Sequence, residues 1–199
     1  MTNKWFINNY DRMMEPVEKK SFGKIRAELL KMAHGNVLEV GCGTGLNFKY
    51  YEDVTVTAIE PKESFRKTAA ERASHANVPI VVYEGNAEKL DFPDHSFDTI
   101  VGTLVFCSIA DPIKAIREII RVCKPNGKVL LFEHVRHDNK MIATLQGIAT
   151  PLWKRMCDGC HLNRDTAQLL QQEGIEIIQI KPHRSKIMIT IEARNSFVK

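Results

Sequence analysis

Val37-Leu38-Glu39-Val40-Gly41-Cys42-Gly43-Thr44-Gly45 joins an apolar run to a loop of three glycines. A short apolar run stopped by glycine predicts a buried strand, and three alternating glycines predict a tight turn that opens a helix. With no Cβ in the way, such a turn lets the backbone approach a ligand closely. The next strand, Val54 to Ile59, is rich in β-branched residues and runs into Glu60. A carboxylate at that strand end can accept hydrogen bonds from both hydroxyls of a ribose. Glycine loop and acid together predict nucleoside recognition.

On either side of the loop, residues 11 to 32 predict a helix interrupted near Pro16, and Asn47 to Tyr51 the end of a short helix after the glycine loop. Pro61 opens a helix reaching about Ser74, and Pro112 opens another whose Ile113, Ile116, Ile119 and Ile120 lie at helical spacing. Lys124-Pro125-Asn126-Gly127 ends that helix. Further strands are predicted at 80–83, 97–104 and 129–132, then at 175–180 and 187–191 as a closing pair. Helices are predicted at 140–156, bent at Pro151, and at 166–173. Strands alternating with helices imply parallel crossovers. The expected fold is therefore α/β, a doubly wound, mostly parallel seven-stranded sheet with one antiparallel strand near the C-terminus. Ligands of such sheets bind outside the carboxyl ends of the strands.

The loop spacing is Gly-x-Gly-x-Gly, whereas the dinucleotide fingerprint is Gly-x-Gly-x-x-Gly, built to hold a pyrophosphate at a helix amino end. A nicotinamide oxidoreductase and a nucleotide-binding module without chemistry are the alternatives; the spacing counts against both. The motif set, comprising 37–45, Glu60, Glu84-Gly-Asn-Ala-Glu-Lys-Leu-Asp-Phe-Pro93, Ser96-Phe-Asp98, Thr103 to Asp111 and Glu118 to Gly127, resembles the class I S-adenosylmethionine-dependent methyltransferases. The resemblance covers roughly residues 8 to 135. It implies S-adenosylmethionine as cofactor and S-adenosylhomocysteine as product. It places Gly41, Cys42 and Gly43 along the methionine half, with Glu39 supporting the ammonium, Glu60 and Pro61 at the ribose, and Asn86 and Ala87 at the adenine. Leu104 borders the sulfonium through its backbone, and Tyr10 belongs to a lid. The family more often has Asp where this chain has Asn86.

Asp158-Gly-Cys160 with Leu162, Arg164 and Thr166, together with Thr103-Leu-Val-Phe-Cys-Ser108 and Glu133-His134-Val135, is similar to the methyltransferase-like thiol methyltransferases. That likeness makes Asp158, Cys160 and Arg164 candidates for the substrate pocket; Cys157 is outside the pattern. Cys157-Asp-Gly-Cys160-His161 also matches a redox pair, half a zinc site and a haem attachment, but each lacks its context here, and no metal is expected. His134, at the end of the fifth strand, is either a base for an acceptor thiol or amine, or an imidazole bonded to backbone.

With 199 residues, one domain is expected: 1–33 a lid, 34–135 the cofactor-binding core, 136–199 a substrate cap and closing strands. A net charge of +4, from 28 basic and 24 acidic residues, gives no support to a nucleic-acid partner. Apolar residues at 44% and charged ones at 26% exclude disorder. No run approaches the roughly 18 apolar residues of a membrane span, and Met-Thr-Asn-Lys-Trp-Phe lacks a signal h-region, so a cytoplasmic address is the default. Five cysteines in a chain of this size are expected as free thiols. Met141, Leu145, Ile148, Leu152 and Met156 share a helical stripe beside Lys140, Lys154 and Arg155, expected to pack on the core rather than on a membrane. The overall expectation is a monomer or weak dimer that methylates a small or lipid-like acceptor. A thiol is preferred, ahead of a phospholipid amine or a quinone carbon.

Overall fold

The computed structural model describes residues 4–157, 159–183 and 186–196. In chain order its elements are α1 (Lys4–Val17), a π-helical turn (Glu18–Phe22), α2 (Gly23–Leu30), β1 (Gly35–Val40), a 3-10 turn (Phe48–Tyr50), β2 (Val54–Ile59), α3 (Glu63–Ala73) and β3 (Ile80–Tyr83). Then follow β4 (Phe97–Thr103), α4 (Pro112–Val122), β5 (Cys123–His134), α5 (Lys140–Met156), α6 (Thr166–Gln172), β6 (Glu176–His183) and β7 (Met188–Arg194). The seven strands form one sheet in the order β3-β2-β1-β4-β5-β7-β6. The pairs from β3 to β5 are parallel, and β7 runs antiparallel to both β5 and β6. The expected mostly parallel sheet with one reversed strand is therefore what forms. Winding reverses between β1 and β4, and that switch point puts a crevice at the carboxyl ends of these two strands.

Strand alternation sends successive side chains to opposite faces. Leu38, Ile100, Leu131 and Ile191 pack with Ile116 and Ile119 of α4 and Leu170 of α6 on one side. Val37, Val56, Leu130 and Phe132 pack with Leu29 and Leu30 of α2 and with Phe48 and Tyr51 on the other. Both faces of the central strands are buried, which is why they read as continuous apolar runs.

Four expectations are corrected. The first helical segment begins at Lys4 rather than near residue 11, and a wide π turn follows Pro16 instead of a break. Proline removes one backbone donor, and the chain absorbs the defect by widening a turn. The glycine loop leads into turns and then the short 3-10 segment, not an α-helix. β5 begins at Cys123, so Lys124 to Gly127 lies within the strand as a register shift rather than a helix stop. Buried Asn195 holds this stretch by donating to the carbonyls of Ile120 and Cys123. The fourth correction concerns α5: its apolar stripe faces outward, with Met141, Leu145, Ile148 and Leu152 exposed by 63 to 77%. The side of α5 that meets the protein is small and polar: Ala143, Gln146 and Thr150.

Candidate active site

A cavity of about 560 Å³ opens at the switch point. Its floor is the glycine loop. Gly41 and Gly43 both have positive φ, +62° and +55°, the left-handed region that glycine enters without penalty. A Cβ at Gly41 would collide with Val105, whereas a Cβ at Gly43 would meet nothing within 4 Å because that position faces the open cavity. Glu60 stands beside the loop at the end of β2, accepting from the Gly43 amide at 3.0 Å and the Lys62 amide at 3.0 Å. Burial pushes its carboxyl above the ordinary range, against the pull of those two amides.

Of the residues singled out from sequence, Tyr10, Gly41, Cys42, Gly43, Glu60, Pro61, Asn86, Ala87, Leu104, His134 and Cys160 lie on the cavity wall. Asn86 turns its side-chain oxygen onto the Glu88 amide at 2.9 Å, so an adenine amine would have to share that acceptor. Tyr10 packs against Phe65 with ring centroids 5.4 Å apart, and burial raises its phenol to about 12. The adjacent Asp11 latches α1 to the loop. It accepts from the Thr44 hydroxyl at 2.7 Å and pairs with Arg72 at 2.8 Å.

Two expected site residues do not line the cavity. Glu39 shares strand parity with Val37 and so points under the loop toward Tyr51 and Asn47, which donate to it at 2.7 and 2.9 Å. Burial raises its carboxyl to about 7. Arg164 spends its guanidinium on the carbonyls of Phe106 and Ile109, fastening the cap after α5 to the turn after β4. Asp158 lies outside the described residues.

The turn after β4 is held from behind. Glu133, fully buried, accepts from the amides of Val105, Phe106 and Cys107 at 3.0, 3.0 and 3.2 Å. These bonds, with the Leu104 amide donating to Phe132 at 2.7 Å, fix Leu104 at φ +57°, costly for a side-chain-bearing residue. His134, the next residue on β5, points to the opposite sheet face and reaches the wall. Its Nδ1 is buried with no hydrogen-bond partner among the described residues, and burial lowers its pKa below the ordinary imidazole value. Nδ1 thus makes no bond to backbone among the described residues.

The sequence reading missed Arg26, Trp153, Cys157 and Leu162, all on the wall. Arg26 is buried, paired with Glu18, and donates to Asn47 at 2.8 Å and Thr103 at 2.7 Å. An arginine inside the otherwise apolar helical face Phe22, Ile25, Leu29 was the available signal. A buried cation among acceptors suits a ligand carboxylate.

Residues 38–131 match the methyltransferase domain family. Over 177 residues the chain is 34% identical to the thiol S-methyltransferase TMT1B of Rattus norvegicus, covering 85% of this chain and 72% of that protein. The chain belongs to the S-adenosylmethionine-dependent methyltransferases. A phosphatidylethanolamine N-methyltransferase of Cereibacter sphaeroides is 32% identical over 136 residues, covering 63% of this chain and 67% of the relative. The fold is shared with a methyltransferase structure from Bacillus halodurans at TM-score 0.71 and 17% identity, covering 88% of this chain and all of that one.

The geometry fits the cofactor of this methyltransferase family. The open space before Gly43 admits its backbone-hugging half, Arg26 suits its carboxylate, and the Glu60 carboxylate suits its ribose hydroxyls. When bound, S-adenosylmethionine supplies a methyl group already activated on a sulfonium.

Proposed function

We propose that this methyltransferase acts on a thiol of small or lipid-like character, with His134 accepting the thiol proton. The observation that carries this reading is His134 on the wall of a largely apolar cavity, its buried Nδ1 left without a partner among the described residues. An imidazole whose pKa burial has lowered is neutral at pH 7, ready to take a proton rather than to give one. Trp153, Leu162 and Cys160 supply the apolar approach, suiting an acceptor with a hydrocarbon body. The named thiol S-methyltransferase relative supports the same class.

Within this reading, Gly41, Cys42, Gly43 and Arg26 line the methionine half of the cofactor. Glu60 and Pro61 bind the ribose, Asn86 and Ala87 frame the adenine, and Tyr10 closes over it. Glu39 acts through Asn47 and Tyr51, and Arg164 positions the cap without touching substrate. Excluding water and aligning the acceptor supply much of the acceleration, since the leaving group needs no further activation. The five free thiols support a reducing compartment, the cytoplasm, and a monomer or weak dimer suffices for a complete site.

The test compares a small alkyl thiol, a phospholipid amine and a quinone for S-adenosylhomocysteine release. With the thiol, single-turnover rate is expected to rise through a pKa below 6.5 and then level. His134→Gln should shift the rise toward the thiol's own pKa of about 8.5 while sparing cofactor affinity. No turnover of any thiol would overturn the substrate class. Turnover of the phospholipid amine alone would install the second reading, which the Cereibacter relative supports.

A further inference from the structure

We propose that α5 is a membrane-docking helix that seats the mouth of the active site on an anionic lipid surface. The proposal does not depend on which acceptor is methylated.

A helix covering a domain ordinarily buries its apolar stripe and shows water its polar one. α5 does the reverse. At about 100° per residue, Met141, Leu145, Ile148 and Leu152 fall on one line. Their exposures are 77, 63, 73 and 66%. Ala143, Gln146 and Thr150 fall on the opposite line and are buried. The attachment to the protein is made by polar bonds: Gln146 donates to the carbonyl of Val135 at 3.0 Å and accepts from the His137 amide at 2.8 Å. Thr150 bonds back to the Gln146 carbonyl at 2.7 Å. A row of four large side chains standing in water along one helix marks a surface with an apolar occupant.

Charge selects that occupant. Lys140, Lys154 and Arg155 are exposed, and the seventeen residues of α5 include no acid. Arg155 lies beside the apolar line, with the two lysines further round the same flank. A cation at the edge of an apolar stripe, with two more exposed on the same flank and no acid in the helix, matches anionic headgroups over acyl chains. A second copy of the chain fits less well. Antiparallel self-pairing about Ile148 brings Lys140 against Lys154 and Arg155, and parallel pairing sets each cation against itself. Among the described residues no helix is long and apolar enough to cross a membrane, so α5 would lie in the interface plane rather than span it.

The position gives the docking a use. Trp153, exposed by 40%, and Cys157 at the end of α5 both line the active-site cavity. The apolar face therefore runs into the cavity mouth, and an acceptor partitioned into lipid would meet the site without crossing water.

Sedimentation with phosphatidylcholine vesicles, with and without an equal part of phosphatidylglycerol, tests this without turnover. The expected result is binding to the mixed vesicles that weakens with salt and exceeds binding to phosphatidylcholine alone. Leu145→Asp with Ile148→Asp should cut binding by at least about tenfold. Lys154→Glu with Arg155→Glu should remove the preference for anionic lipid. Cofactor affinity and the thermal transition should stay as in the parent; if the double aspartate fails to fold, the double serine at the same positions gives the same reading. No binding to mixed vesicles, or binding indifferent to the 145/148 changes, overturns the proposal. So does a dimer that those changes dissociate in the absence of any lipid binding, which would assign the face to a second copy.

Discussion

Replacing Glu133 with Gln isolates the device that holds the turn after β4. One carboxylate oxygen serves the amides of Val105 and Phe106 and the other serves Cys107. If the Gln oxygen keeps the first two, its NH2 faces the Cys107 amide, donor against donor. One buried amide left unsatisfied costs about 1 to 3 kcal/mol. Glu133→Ala orphans all three, about 3 to 9 kcal/mol on the same scale, comparable to the whole stability of a domain. The Gln variant should therefore fold and the Ala variant should not. A second effect has the opposite sign. Burial raises the Glu133 carboxyl to about 7, above its unfolded value. Stability from a raised carboxyl is fully present below the unfolded pKa and is lost as pH rises through the folded one. At about 1.36 kcal/mol per unit, the parent should lose roughly 2 kcal/mol from this group between pH 5.5 and 7, a loss Gln cannot suffer. The assay is urea unfolding of parent and variant at pH 5.5 and pH 8. Their difference should shrink by about 2 kcal/mol toward alkaline pH, cancelling contributions from the histidines common to both. A difference that stays constant or grows would refute the assignment of a raised pKa. An Ala variant as stable as Gln would refute the turn-holding role.

Glu60→Ala should weaken S-adenosylmethionine binding by about 1.5 to 3 kcal/mol by calorimetry; unchanged affinity in a folded variant would remove Glu60 from the ribose site. Gly41→Ala and Gly43→Ala both incur about 1 to 2 kcal/mol for a left-handed backbone. Gly41→Ala should lower the melting temperature further through its clash with Val105, while Gly43→Ala, facing open space, should chiefly weaken cofactor binding. Cys157→Ser should leave the melting temperature and methyl transfer nearly unchanged, and zinc or haem found by elemental or absorption analysis of the parent would contradict this.

The central β-α alternation was legible because both faces of its strands are buried, leaving apolar runs separated by glycine and proline. Part of the cavity wall was legible for a related reason: Gly41, Gly43 and Glu60 sit at strand ends, where backbone geometry restricts the residue types. That Glu39 lies under the loop rather than on the cavity wall was not legible, because a strand's period of two decides which face a side chain takes, and the motif alone does not say which face is the cavity. The bonds of Arg164 to Phe106 and Ile109, and the place of Arg26 on the cavity wall, were not legible, because both span long sequence separations that no local pattern encodes. The outward stripe of α5 was unreadable in principle. Periodicity shows that a helix has an apolar side but not which side the rest of the chain will claim, and here Gln146 and Thr150 claim the polar one.

Neighbouring residues on β5 divide the work by the same alternation. Glu133 turns to the face where the β4 turn crosses and holds three amides still; His134 turns to the other face, where its buried Nδ1 has no partner among the described residues. A single register slip would exchange them, placing a carboxyl on the cavity wall and an imidazole under three donors it cannot all satisfy. Both the parallel pairing with β4 and the antiparallel pairing of His134 with Met188 on β7 oppose such a slip. The reversed strand thus does more than close the sheet: it helps set the register that turns one of two adjacent polar residues under the β4 turn and the other to the cavity wall.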